Sequence, residues 1–298
     1  MKHSLFKILI FIGLNALLLV MALLLVHWIE PKYERTNTTT EATFSAIPKN
    51  HKYDFVIMGT SHAREFSRSA NHEMVEQLTG KTFFNLSKGA GHGGLIPNIM
   101  AWRLFLQRGN KTQHIIYFVD PWIFYSSKWN EENYCFEDEP VRPDILMLGI
   151  TNGMSTATII NYLKSKLKPS YLFAPQILSA LNEKFLTKAD VHLIQKQIDR
   201  NFPDALSEDN FKKYSAIFTN FVNQLTQAGI RITFVLPPTL LTNEPGHKQT
   251  LQLLHSFANI PVYDHSKLIT NPAFYYDHSH LNTAGIRSYV IENSFIFR

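Results

Sequence analysis

From Ile8 to Val26 the chain is apolar at every position except Gly13 and Asn15, with no charge and no polar face. At about 1.5 Å per residue, a helix of this length crosses a hydrocarbon core of about 30 Å. The run therefore predicts a transmembrane helix, with Trp28 as an interfacial anchor. A cleaved signal peptide would share the basic start at Lys2 and Lys7. Against it, the apolar run is long for such a segment, and no small-x-small site closely follows it. Flanking charge orients the span weakly, because Lys32 and Arg35 are offset by Glu30 and Glu34. Residues 1–30 are thus read as a membrane anchor. Residues 31–52, with the polar run Thr36-Asn37-Thr38-Thr39-Thr40, are read as a linker.

Beyond the linker the pattern alternates. Short, almost wholly apolar runs predict buried strands at Asp54–Met58, Thr82–Leu86, His114–Val119, Ile230–Leu236 and Ile260–Asp264. Helical spacing predicts helices at Arg64–Leu78, Leu95–Leu106, Phe211–Ala228 and His247–Ala258, with a last one from Thr283 onward. Strands in alternation with helices imply a parallel sheet covered on both faces: a doubly wound, three-layer α/β/α domain over residues 53–298. Residues 121–207 break the alternation with aromatics such as Trp122, Tyr125 and Trp129. They read as an insertion after the third strand, near the carboxyl ends of the strands, where open α/β sheets bind ligands.

Composition adds limits. The chain has 298 residues, 45% of them hydrophobic, enough for a substantial core. Its net charge is +5, yet no run of five or more Lys and Arg occurs, so nothing points to nucleic acid. Cys135 is the only cysteine, which excludes an intrachain disulfide and a thiolate zinc site.

Two segments carry candidate chemistry. Gly59-Thr60-Ser61-His62 follows the first strand and opens a helix. Ser61 there is either an ordinary N-cap or a nucleophile beside backbone N–H groups able to hold an oxyanion. Asp277-His278-Ser279-His280 precedes the last helix. A carboxylate at Asp277 can hold the tautomer of His280 while its other nitrogen takes a serine proton. The competing reading of that segment is a turn, or a metal site shared with His278. Gly89 to Gly94 lacks the Lys-Ser/Thr ending of a P-loop.

Strand–Gly-x-Ser–helix at the start, Asn85 and glycines after the second strand, and Asp-x-x-His before the last helix together resemble the SGNH (GDSL-like) hydrolases, whose fold is flavodoxin-like. The resemblance covers Asp54 to about Tyr289. It implies Ser61 as nucleophile, His280 as base, Asp277 as its orienting acid, and Gly89, Gly91 or Asn85 as oxyanion-hole donors, with no cofactor and no metal. The chain departs from the pattern at Gly-Thr-Ser-His, and at Tyr117-Phe118-Val119-Asp120-Pro121-Trp122, where a Gly-x-Asn-Asp block is usual. The oxyanion asparagine is therefore absent, leaving His62, Asp120 or Asn85 to substitute. The departures are similar to those of membrane-anchored members that modify bacterial cell envelopes, of the alginate O-acetylation and teichoic acid D-alanylation type. That likeness implies a serine esterase or O-acyltransferase acting on an envelope polysaccharide. It also implies a membrane-bound acyltransferase as partner, and a single-pass inner-membrane protein with its domain outside the cytoplasm. An alternative is an accessory protein of weak or no activity that binds glycan or recruits the acyltransferase.

Overall fold

The computed structural model describes residues 2–29, 43–68, 70–88, 93–131, 136, 139, 142–152, 154–166, 185–203 and 206–298. Five strands form one parallel sheet: β1 (Phe55–Met58), β2 (Phe83–Asn85), β3 (His114–Phe118), β4 (Arg231–Leu236) and β5 (Val262–Asp264). Their order is β2-β1-β3-β4-β5, one of the two common orders of doubly wound sheets. Each strand matches its predicted run to within two residues.

Successive side chains on a strand point to opposite faces. Val56, Met58, Ile115, Tyr117 and Phe234 enter one buried cluster, and Phe55, Ile57, Ile116, Phe118 and Val235 enter the other. The first face is covered by α5 (Leu95–Gln107) and α10 (Glu208–Gln227) through Met100, Phe105, Phe218 and Val222. The second is covered by α4 (Asn71–Thr79) and α12 (Thr283–Glu292) through Val75, Ile286, Tyr289 and Val290. Two apolar faces, each with its own helices, give the three layers that the alternation predicts. The remaining helix of this frame, α11, covers His247–His255 between β4 and β5.

Before this domain, α1 runs from Lys2 to Ile29. Its segment Leu5–Ala22 has a mean hydropathy of 2.4 and none of it is buried, so it is long and apolar enough to cross a membrane. Residues 31–42 of the expected linker lie outside the described residues. The rest of that linker is corrected: α2 (Thr43–Ala46) buries Phe44, and Ile47 follows it into the first core cluster. The N–H groups of Phe44 and Ser45 donate to the buried carboxylate of Glu139, which also pairs with Lys88 at 3.2 Å. Two apolar residues are too few to show a period, so the sequence gives no sign of this docking.

The predicted helix Arg64–Leu78 is two pieces. α3 (Ser61–Arg64) tightens into a 3-10 turn, Glu65–Ser67, and the chain then turns extended at Arg68 before α4 begins. Polar side chains make the break. Asn71 Nδ2 donates to the Glu65 carbonyl at 2.8 Å, and the Arg68 guanidinium binds Glu65 at 3.1 Å.

The described parts of the insertion are a 3-10 turn (Pro121–Phe124), α6 (Ser127–Glu131), α7 (Pro143–Thr151), α8 (Thr156–Lys166) and α9 (Val191–Asn201). Trp122, Ile123, Phe124, Ile145 and Ile198 all join the first core cluster, so the described insertion shares the core of the sheet.

Candidate active site

Ser61 sits just past the carboxyl end of β1, where the strand order reverses. Gly59 makes the turn possible. Its φ is +146°, and a Cβ there would lie 2.6 Å from the Phe118 carbonyl oxygen and 2.8 Å from Ala63 Cβ. The Gly59 N–H donates to Asn98 Oδ1 at 3.0 Å, and Asn98 Nδ2 donates to the carbonyls of Gly93 and Gly94. The buried Asn98 amide thus ties the serine turn to the end of the glycine loop. Gly59→Ala is expected to lose about 1–3 kcal/mol to backbone strain alone, with the clash adding to it. Urea unfolding of the purified protein checks this; an unchanged midpoint would contradict the role given to Gly59.

The N-cap reading of Ser61 gives way here. The cap position is Thr60, and its hydroxyl donates to Asp120 Oδ2. The Ser61 hydroxyl instead meets His280, with Oγ and Nε2 2.7 Å apart. His280 Nδ1 lies 2.9 Å from both carboxylate oxygens of Asp277.

The loop that carries these two residues is fixed by its own polar groups. Asp277 Oδ1 accepts the N–H groups of Ser279 and His280, each at 2.8 Å, the local turn that short carboxylates favour. The Tyr276 N–H closes the loop onto the His280 carbonyl at 3.1 Å. Burial tends to raise the Asp277 pKa, but the bond and charge of His280 and the two N–H bonds outweigh it and hold the carboxyl down at about 2. Asp277 is therefore ionised at any neutral pH, and the Nδ1–H tautomer of His280 is the one it selects.

His278 is placed differently. Its Nε2 accepts the Asp190 N–H at 2.9 Å, so the ring joins the loop to the start of α9. Asn85 lies under the serine turn. Its Nδ2 donates to the Ala63 carbonyl at 2.8 Å and its Oδ1 accepts the Ser87 N–H at 2.9 Å. Both ends of its amide are used in the scaffold, and it does not line the cleft. Gly89 and Gly91 lie outside the described residues.

The cleft above Ser61 holds about 400 Å³. The insertion supplies one wall through Trp122, Trp129, Gln197, Arg200 and Asn201, the placement expected of an insertion at this edge. The opposite wall carries a network the sequence does not reveal. The Tyr276 hydroxyl donates to Glu65 at 2.9 Å, Arg68 binds the same carboxylate, and the Tyr276 ring stacks on His280 at 5.4 Å. Only the adjacency of Tyr276 to Asp277 could have hinted at it.

A second imidazole lies beside the first. His62 is 8% exposed, its Nδ1 is 2.7 Å from Asp120 Oδ1, and its ring stacks on His280 at 4.9 Å. Burial lowers its pKa, but the Asp120 carboxylate more than reverses this and lifts it to about 9. Glu244, in the loop after β4, has Oε1 shut from solvent without a hydrogen-bond partner among the described residues. Burial and the charge of Asp120 raise its pKa to about 8, against the opposing pull of His62.

These two shifts set a pH dependence of stability. The ordinary values are 4.5 for Glu244 and 6.5 for His62. Above those values an unfolded chain releases the protons, while the folded chain holds them up to about pH 8 and pH 9. Stability is therefore expected to fall as pH rises from 5 toward about 9. Thermal unfolding at pH 6 and pH 9 checks this: the midpoint should be lower at pH 9, and Glu244→Gln should narrow the gap. An equal gap in the variant would contradict the assignment.

No protein-family sequence model matches the chain, and no curated protein matches it. Its class therefore rests on the fold and the site: an α/β protein with a Ser–His–Asp constellation at the carboxyl edge of a parallel sheet, preceded by a helix able to cross a membrane.

Proposed function

We propose that this protein is a membrane-anchored serine enzyme of the SGNH (GDSL-like) type, acting on acyl esters of a cell-envelope glycan. The observation that carries the proposal is the 2.7 Å contact of Ser61 Oγ with His280 Nε2, whose Nδ1 is held by Asp277. The Nδ1–H tautomer leaves Nε2 free to accept a proton, as general-base activation of a hydroxyl needs.

The reaction then runs in two halves. Ser61 Oγ attacks the ester carbonyl carbon and its proton passes to His280 Nε2. The carbonyl π pair moves onto oxygen, where the Ser61 N–H is one available donor. The bond to the leaving alcohol breaks as His280 returns the proton to that alcohol, leaving an acyl-Ser61 ester. In the second half, water or a sugar hydroxyl gives its proton to His280 and attacks the acyl carbon. The Ser61–acyl bond breaks and Ser61 recovers the proton.

The cleft supports a saccharide substrate. The indoles of Trp122 and Trp129 offer apolar faces to a sugar ring, and Gln197 and Asn201 offer amides to its hydroxyls. The span α1 would hold the domain at the outer face of a bacterial inner membrane, beside a membrane-bound acyltransferase as partner.

The test uses the full-length protein in detergent, with p-nitrophenyl acetate and an O-acetylated acidic polysaccharide as substrates. Release of acetate from both is expected from the wild type and not from Ser61→Ala. Binding of the polysaccharide without any acetate release would instead favour an accessory protein.

A further inference from the structure

We propose that His62 is a second catalytic imidazole of this site, whose Nε2–H donates to the acyl oxygen that turns negative when Ser61 attacks. The proposal rests on the reading of Ser61 as the nucleophile.

Geometry carries it. His62 directly follows Ser61, lines the same cleft and stacks on the base His280. Its Nδ1 pairs with the Asp120 carboxylate at 2.7 Å; both ring nitrogens are buried, and neither has an aligned hydrogen-bond partner among the described residues. Nε2 is the ring nitrogen that does not face Asp120. A buried N–H costs free energy until something accepts from it, and an oxyanion repays that cost most fully.

The surrounding charges support the same role. Asp120 lies in the segment after β3 that replaces the Gly-x-Asn-Asp block of the resembled enzymes, and a bare carboxylate there would repel an oxyanion. The Thr60 hydroxyl and His62 both bind Asp120 and offset that charge. The groups that face His62 from neighbouring elements are Asp120 after β3, Glu244 after β4, and Asp277 and His280 before α12. With Glu244 protonated at neutral pH, Asp120 and His62 form a neutral pair, and a developing negative charge finds the imidazolium. No proton leaves His62 during the reaction; the hydrogen bond forms as the carbonyl opens and is lost as it re-forms.

The role also gives a pH signature. Turnover should fall as pH rises through about 9, where His62 loses its charge. The experiment measures kcat and KM for p-nitrophenyl acetate between pH 6 and 10, on the full chain in detergent. The variants are His62→Gln, Asp120→Asn and Ser61→Ala.

His62→Gln is expected to lower kcat by about a hundred- to a thousandfold with little change in KM, and to abolish the alkaline fall. Asp120→Asn should move the alkaline fall to lower pH, and it serves as the test if His62→Gln fails to fold. A His62→Gln enzyme within about threefold of wild type, or an alkaline fall that persists in it, overturns the role of His62 while Ser61-dependent turnover stands. Wild-type turnover no different from Ser61→Ala overturns the nucleophile reading and this inference together.

Discussion

Replacing Ser61 by Ala is expected to lower ester turnover by about four to six orders of magnitude, the loss seen when a serine nucleophile is removed from a triad. The fold should scarcely notice. The Ser61 hydroxyl caps no helix, since Thr60 holds the cap position, and among the described residues its hydrogen-bond partner is His280 Nε2. Losing one such hydrogen bond costs about 1 kcal/mol. Activity and stability should therefore separate: kcat collapses, while the thermal midpoint moves by a few degrees at most. A variant that keeps more than about a tenth of wild-type turnover would show that the Ser61–His280 contact is structural only.

Asp277→Asn is expected to cost nearly as much, about four orders of magnitude in kcat. The amide has the size of the carboxylate, and its oxygen can still accept the N–H groups of Ser279 and His280 that shape the loop. An amide nitrogen turned toward His280 would donate to Nδ1 and push the ring proton to Nε2. Nε2 could then no longer take the proton of Ser61. Since the carboxyl titrates at about 2, wild-type activity should show no loss from Asp277 protonation above about pH 4. Steady-state kinetics of the variant, with circular dichroism as a check on folding, measures the effect. A loss of less than about tenfold would mean that Asp277 does not govern the tautomer.

The sequence shows most of the frame because its strands lie in a doubly covered sheet. Residues such as Phe55, Val56, Ile57 and Met58 must all be apolar when both faces are buried, and that run is visible without coordinates. The break between α3 and α4 is not visible, because it is made by hydrogen bonds of Asn71 and Arg68 and not by a change in apolar spacing. Phe44 and Ile47 escape notice for the opposite reason: too few residues dock to form a pattern.

At the site, Ser61, Asp277 and His280 stand out because each lies in a short motif at a strand end or before a helix. Their meeting spans 219 positions and depends on the sheet order. Asn85 misleads because residue type suggests a donor, whereas its amide is spent on Ala63 and Ser87. The Tyr276–Glu65–Arg68 network and Glu244 are set by long-range packing, and no local pattern marks them.

The central claim is that Ser61 is a nucleophile activated by His280. Treating the full-length protein in detergent with a fluorophosphonate, and mapping the adduct by tandem mass spectrometry, tests it most directly. The account predicts one covalent adduct on Ser61 in the wild type, and none in Ser61→Ala. No adduct on the wild type, or an adduct that survives Ser61→Ala, would contradict it.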